Sequence, residues 1–136
     1  MTTPGDPESG LEAAPQKVLF RIDLANGARL GPGKVELLRL IGQHGSIRSA
    51  GAAMGMSYRR AWLLADEINR MFREPAIATR HGGKSGGGAY LTAFGEALLQ
   101  RSMAMDEKMR HVVGDDIAWL ESVAAQRNAP AEEQNP

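Results

Sequence analysis

Arg59 and Arg60 stand side by side just after Ser57 and Tyr58, and further along the chain Arg80, Lys84 and Ser85 border or lie within the run His81-Gly82-Gly83-Lys84-Ser85-Gly86-Gly87-Gly88. A guanidinium is a planar fork of donors that suits guanine edges and phosphates. A glycine-rich backbone offers unhindered N–H groups, and with one lysine it can meet anionic oxygen closely. Together these residue types point to contact with a nucleic-acid duplex, with base reading by the arginine pair and backbone contact by the loop. Ser46 and Arg48, upstream, join the candidate set. Leu63 reads either as an apolar contact for a thymine methyl or as an ordinary exposed leucine.

Other chemistries are poorly served. Gly83-Lys84-Ser85 imitates the end of a nucleotide-binding P-loop, but the first glycine of that pattern falls at Ala78. The loop also runs into a strand-like stretch, where phosphate binding needs a helix N-terminus. A plain flexible connection is the alternative reading of the glycines. The sequence has no cysteine, and its three histidines, His44, His81 and His111, are too widely spaced for a zinc motif. No catalysis, metal or cofactor is expected. No apolar run approaches the about 18–20 residues of a membrane span, and Pro4, Asp6, Pro7 and Glu8 occupy the place of a signal peptide's apolar stretch. The expectation is a cytoplasmic protein without membrane contact.

The formal net charge of 0 conceals a separation of charge along the 136 residues. Between Arg29 and Tyr90 ten Lys/Arg face four acids, whereas from Asp106 onward seven acids face three bases. A basic body beside an acidic tail can hold a local phosphate-seeking field.

The elements that must position these groups follow from periodicity and punctuation. Residues 1–16 and 125–136 lack apolar periodicity and read as disordered tails. Val18 to Leu24 alternate as a half-buried strand, Asn26-Gly27 suits a two-residue hairpin turn, and residues 28–30 return as a short partner. A first helix is expected over residues 34–43, with Val35, Leu38 and Ile41 on its apolar stripe and Leu37 and Leu40 widening it. His44-Gly45 ends it, and Ser46 caps a second helix over residues 47–54. Gly55 supplies a sharp turn, and Ser57 caps a third helix over residues 58–72. At about 100° per residue, Ala61, Leu64, Ala65, Ile68 and Phe72 face inward, with Arg59, Leu63, Asp66 and Arg70 outward and Trp62 expected in the core. Two strands, residues 76–80 and 89–92, flank the glycine run. This order of elements predicts an α+β, mainly helical fold: a winged helix-turn-helix with a small N-terminal hairpin.

The segments Gly45-Ser46-Ile47, Gly55-Met56-Ser57-Tyr58-Arg59-Arg60-Ala61-Trp62, Glu67-Ile68-Asn69 and Gly82-Gly83-Lys84-Ser85-Gly86-Gly87-Gly88-Ala89-Tyr90-Leu91-Thr92 resemble the N-terminal domain of the ModE family of molybdate-dependent regulators. The resemblance covers roughly residues 20–104. It implies a LysR-like winged helix-turn-helix, a recognition helix carrying Ser57, Tyr58, Arg59 and Arg60, and a wing made of Arg80 and residues 82–89. Ser85 stands where members of the family commonly have glycine. Full-size members carry oxyanion-binding domains after the DNA-binding part, and this sequence ends before them. The two expectations are then molybdate control through a separate effector-sensing protein, or DNA binding without that signal.

Downstream, Thr92 caps a long helix through Phe94, Leu98, Met105, Met109 and Val112. Gly114 is the place for a kink, and Asp115-Asp116 restart the helix toward Ile117, Leu120 and Val123. So much apolar surface on one rod predicts pairing with the same helix of a second copy, and in the resembled family this region joins two subunits. Folding back on its own domain is the alternative. The expected organisation is a DNA-binding domain over residues 17–92 and a C-terminal dimerisation helix over 93–124. The expected protein is a homodimeric transcriptional regulator of double-stranded DNA, linked to molybdate genes, and not an enzyme. The competing expectation is a protein-interaction module that uses its C-terminal helices.

Overall fold

In the computed structural model, described for residues 18–81 and 88–126, helices dominate and four short strands pair into two hairpins. Residues 1–17 and 127–136, which hold all but 125–126 of the tails expected to be disordered at 1–16 and 125–136, and the tip of the glycine run, residues 82–87, lie outside the described residues. Two units divide the chain, Leu19–His111 and a second to which residues 112–126 belong.

The first unit starts with β1 (Ile22–Asp23) and β2 (Arg29–Leu30), antiparallel with Ile22 opposite Leu30. The strand expected from Val18 is cut to two residues because this register sets Phe20 opposite Pro32. A proline has no N–H for a ladder and instead opens a helix. The turn also differs from the expected two-residue form. The Leu24 N–H donates to Ala28 O at 2.8 Å and the Gly27 N–H to Leu24 O at 2.9 Å, so three residues make the turn. Only Gly27 takes a positive φ, 90°, as a type I turn closed by a left-handed residue requires. Asn26 serves instead through its side chain, accepting from the Ala28 N–H at 2.9 Å and donating to Met71 O at 3.1 Å.

Helix α1 (Pro32–His44) begins two residues before the expected start, with proline in its first turn. Leu37, Leu38 and Ile41 are fully buried, as is Ile68 of α3 (Tyr58–Met71). At about 1.5–3 kcal/mol for each such side chain, these four residues, from two helices, are the most deeply buried large side chains of the core. Between them lies α2 (Ile47–Ala53), capped by Ser46, whose Oγ accepts from the Ser49 N–H at 2.9 Å. The cap of α3 is equivalent, Ser57 Oγ accepting from the Arg60 N–H at 3.1 Å.

Helices α2 and α3 cross closely because the contact is made by the smallest residues. A Cβ on Gly51 would stand 2.5 Å from that of Ala61. Gly55, at φ 76°, makes the turn between them, and the Met56 N–H returns to Gly51 O at 2.9 Å. Ala61, Ala65, Ile68 and Met71 are buried along α3, with Leu64 packed at the edge. The expected core position of Trp62 is not observed, for that side chain is 45% exposed. Its place, one residue after the tight Gly51–Ala61 contact, carries it around the helix away from the narrow alanine stripe.

Strands β3 (Ile77–Arg80) and β4 (Gly88–Leu91) pair antiparallel, Ile77 opposite Leu91 and Arg80 opposite Gly88. Asn69 anchors this hairpin to α3: its Oδ1 accepts from the N–H groups of Ala76 (2.8 Å) and Ile77 (2.9 Å), and its Nδ2 donates to Ile77 O at 2.8 Å. The Ala89 N–H donates to Gly45 O at 2.9 Å, tying β4 to the end of α1. Thr92 then caps α4 (Ala93–Val112), its Oγ1 accepting from the Gly95 N–H at 3.0 Å and donating to Pro75 O at 2.7 Å.

The second unit carries α5 (Gly114–Val123), which begins after a break at Val113, next to the expected kink. None of its residues is buried.

Candidate nucleic-acid interface

The first turn of α3 presents Tyr58, Arg59 and Arg60 to solvent, and Leu63 one turn on is 49% exposed. Both features follow from the sequence. Ser57 fixes where the helix starts, and the inward stripe of Ala61 and Ala65 turns positions 59, 60 and 63 outward. Ser57, Arg59, Arg60, Leu63, Leu64 and Glu67 line a shallow open depression on this side.

The candidate cations have no carboxylate partner among the described residues. Among the described residues, Arg21, Lys34, Arg39, Arg70 and Arg110 are ion-paired with carboxylates, but no ion pair involves Arg48, Arg59, Arg60 or Arg80. Asp66, the carboxylate nearest in sequence to Arg60, is paired with Arg70 at 2.8 Å, and the next, Glu67, with Lys34 at 2.8 Å. Two cations are held by rings instead. The Arg48 guanidinium lies 4.3 Å from the centre of the Tyr58 ring, and that of Arg80 lies 4.6 Å from the centre of Tyr90. Such stacking neutralises nothing, so the charge remains for an anion.

Of the residues singled out in the sequence, Ser46 and Ser57 each accept a cap bond, Arg48 and Tyr58 are brought together, and Arg59, Arg60, Leu63 and Arg80 are exposed. Lys84 and Ser85 lie outside the described residues. Tyr90, Trp62 and Asn69 were not singled out for the site. Tyr90 had a readable signal, since an aromatic two positions from a strand-paired glycine sits diagonally across from Arg80. Asn69 had none, because its partners are seven and eight residues away, at the entry and first residue of a strand whose approach only the fold decides.

The residues expected at a dimer interface divide. Phe94 and Leu98 pack against the chain's own core, and Phe94 also meets Phe72 with ring centres 5.3 Å apart, so these two are used within the protomer. They lie in the first turns of α4, where Gly95 is pressed against the Ala76 carbonyl while Ala93, Glu96, Ala97 and Gln100 stay exposed. Met105 is half-buried, and Met109 and Val112 are exposed. Met103 is 47% exposed and borders an apolar groove with Leu19, Phe20, Ile22 and Met105. On α5, Trp119, Leu120 and Val123 are each more than half exposed.

Among the described residues there is no group of three or more His, Asp or Glu placed to hold a metal ion, and no helix is long and apolar enough to cross a membrane. No protein-family model matches the chain. Its sequence is similar to the molybdenum-pterin-binding protein MopB of Rhodobacter capsulatus, 44% identical over 73 residues, which is 54% of this chain and 27% of MopB. It is similar to the transcriptional regulator ModE of Haemophilus influenzae, 33% identical over 110 residues, covering 79% of this chain and 43% of that protein. The DNA-binding transcriptional dual regulator ModE of Escherichia coli is 31% identical over 105 residues, 75% of this chain and 40% of the regulator. The chain thus spans less than half the length of these relatives, which are regulators and molybdenum-binding proteins, and it is a homologue of part of the ModE regulators.

Proposed function

We propose that this chain is a winged helix-turn-helix DNA-binding regulator of the ModE type, acting as a homodimer on double-stranded DNA beside molybdate-linked genes. In this reading residues 17–92 bind DNA and residues 93–124 join two copies. Helix α3 enters the major groove with Arg59 and Arg60 on base edges or phosphates, while Ser46, Ser57, Arg48 and Tyr58 meet the backbone beside it. Leu63 lies against the bases. Strands β3 and β4 form the base of the wing, which brings Arg80, Lys84 and Ser85 to the flanking phosphates.

One observation carries the reading: the serine-capped first turn of α3 holds two adjacent exposed arginines that have no carboxylate partner among the described residues. A helix N-terminus favours anions by its dipole, and unpaired guanidinium groups there strengthen the same preference. The similarity to ModE regulators supports the molybdate link. Dimerisation is supported by the exposed Val112, Trp119, Leu120 and Val123 of the second unit, a density of apolar side chains that calls for a cover. A two-fold dimer would set its recognition helices about 34 Å apart, in successive major grooves.

The test is selection of genomic fragments by the full chain, followed by titration of the recovered duplex at several salt concentrations. Replacing Arg59 and Arg60 by alanine should lower the slope of log affinity against log salt by about two and remove sequence preference. Sedimentation should show a dimer. Undiminished affinity in the double variant would overturn the assignment of α3. Self-association without any duplex binding would favour the protein-interaction module.

A further inference from the structure

We propose that Tyr90 is a positioning residue for Arg80, its ring holding the Arg80 guanidinium at the base of the wing in the orientation that meets a backbone phosphate. The inference rests on the DNA-binding reading and adds to it a residue outside the recognition helix and the glycine run.

The geometry comes from the strand register. Ala78 pairs with Tyr90 and Arg80 with Gly88, so residues 78, 80, 88 and 90 share one face of the hairpin, while Ile77, Ala89 and Leu91 are buried on the other. Position 88 has no room for a side chain, because a Cβ there would stand 2.7 Å from the Gly45 carbonyl oxygen. Arg80 consequently has no side chain directly opposite. Its guanidinium lies across the diagonal onto Tyr90, 4.6 Å from the ring centre, the reach that diagonal cross-strand pairs allow to long and aromatic side chains. Tyr90 remains 41% exposed, so the stack is open to solvent on its outer side.

An arginine at the mouth of a glycine-rich loop would otherwise sample many rotamers, and fixing one of them on binding costs entropy. Stacking on a ring face restricts the planar fork while leaving its N–H edge free to donate. The ring thereby prepays the ordering of one phosphate contact. A phosphate contact carries no base information, so the effect should be independent of sequence.

The experiment measures anisotropy of a fluorescein-labelled mixed-sequence DNA duplex with the full chain, comparing wild type, Arg80→Ala, Tyr90→Leu, Tyr90→Phe and the Arg80→Ala/Tyr90→Leu double variant. Tyr90→Val is a second ringless variant whose β-branch suits a strand, and thermal melting establishes that each protein is folded. Tyr90→Leu and Tyr90→Val should weaken binding about three-fold, Tyr90→Phe should match wild type, and Tyr90→Leu should cost nothing further once Arg80 is alanine. Equal losses with and without Arg80 would overturn the proposal, as would a Tyr90→Phe protein as weak as Tyr90→Leu or a Tyr90→Leu protein as strong as wild type. Failure of the wild-type chain to bind the duplex would instead refute the DNA-binding reading, and this inference with it.

Discussion

The guanidinium of Arg48, on α2, lies over the ring of Tyr58, the first residue of α3, at 4.3 Å from its centre. A cation and an aromatic ten residues apart in sequence thus form one exposed surface, next to the Arg59–Arg60 pair. The relationship depends on the tight crossing of α2 and α3 at Gly51 and Ala61.

If Arg48 meets a phosphate, Arg48→Ala should weaken duplex binding to a similar degree on every sequence and reduce the salt slope by about one. Titrating a selected site and an unrelated duplex in parallel checks this. A loss confined to the selected site would assign Arg48 to base reading instead.

Gly51→Ala should destabilise the protein in spite of alanine's advantage of about 1 kcal/mol over glycine inside a helix. The added Cβ would meet that of Ala61 at 2.5 Å with backbone close behind it, and overpacking of this kind costs about 1–3 kcal/mol. Gly51→Val should cost more, and it should weaken DNA binding by prising α2 from α3. Urea denaturation gives the stability difference.

Replacing Asn69 by alanine removes three hydrogen bonds and leaves the N–H groups of Ala76 and Ile77 without their acceptor. The expected loss is about 3 kcal/mol, more than half of it from the two stranded donors. Asn69→Asp keeps both acceptor contacts and loses the donation to Ile77 O, so it should cost about 1 kcal/mol. Chemical denaturation of both variants at pH 7 separates the two contributions.

A hydrogen bond from Arg39 holds the Glu36 carboxyl below its usual range, opposed by slight desolvation and aided by the charge of the same guanidinium. A carboxylate whose pKa is lowered by folding adds stability above its unfolded pKa and loses it as pH falls through the folded value. The melting temperature of Glu36→Gln should therefore lie slightly below wild type at pH 7, and the two should converge as pH drops below about 4. The gap is small because both side chains are more than two-fifths exposed. Melting curves across pH 3–7 test the sign.

Much of the arrangement was legible in residue order. Capping serines at 46 and 57 and the turn glycine at 55 mark the helix boundaries of α2 and α3 nearly to the residue, because caps and left-handed turns are local demands of the backbone. The outward place of Arg59 and Leu63 follows from the same local periodicity. Periodicity was a poorer guide at Trp62, which borders the inward stripe yet is 45% exposed, and it did not show that Phe94 and Leu98, read as partner-facing, also pack against the protomer's own core. A helical repeat tells which residues share a side, whereas the neighbour on that side is fixed by packing.

Local rules of capping, turn chemistry and helical repeat act over a few residues, and for that reason the amino-acid sequence alone determined where α1, α2 and α3 lie, which way the arginine at 59 faces, and where a glycine-flanked hairpin follows. Tertiary structure alone decided that Arg48 rests on Tyr58, that Asn69 ties α3 to β3, and that the Gly45 carbonyl keeps position 88 bare so that Arg80 leans onto Tyr90. Each of these contacts joins groups from separate elements, and their meeting depends on how closely backbones approach, a quantity set by the packing of the whole core and carried by no single stretch of chain.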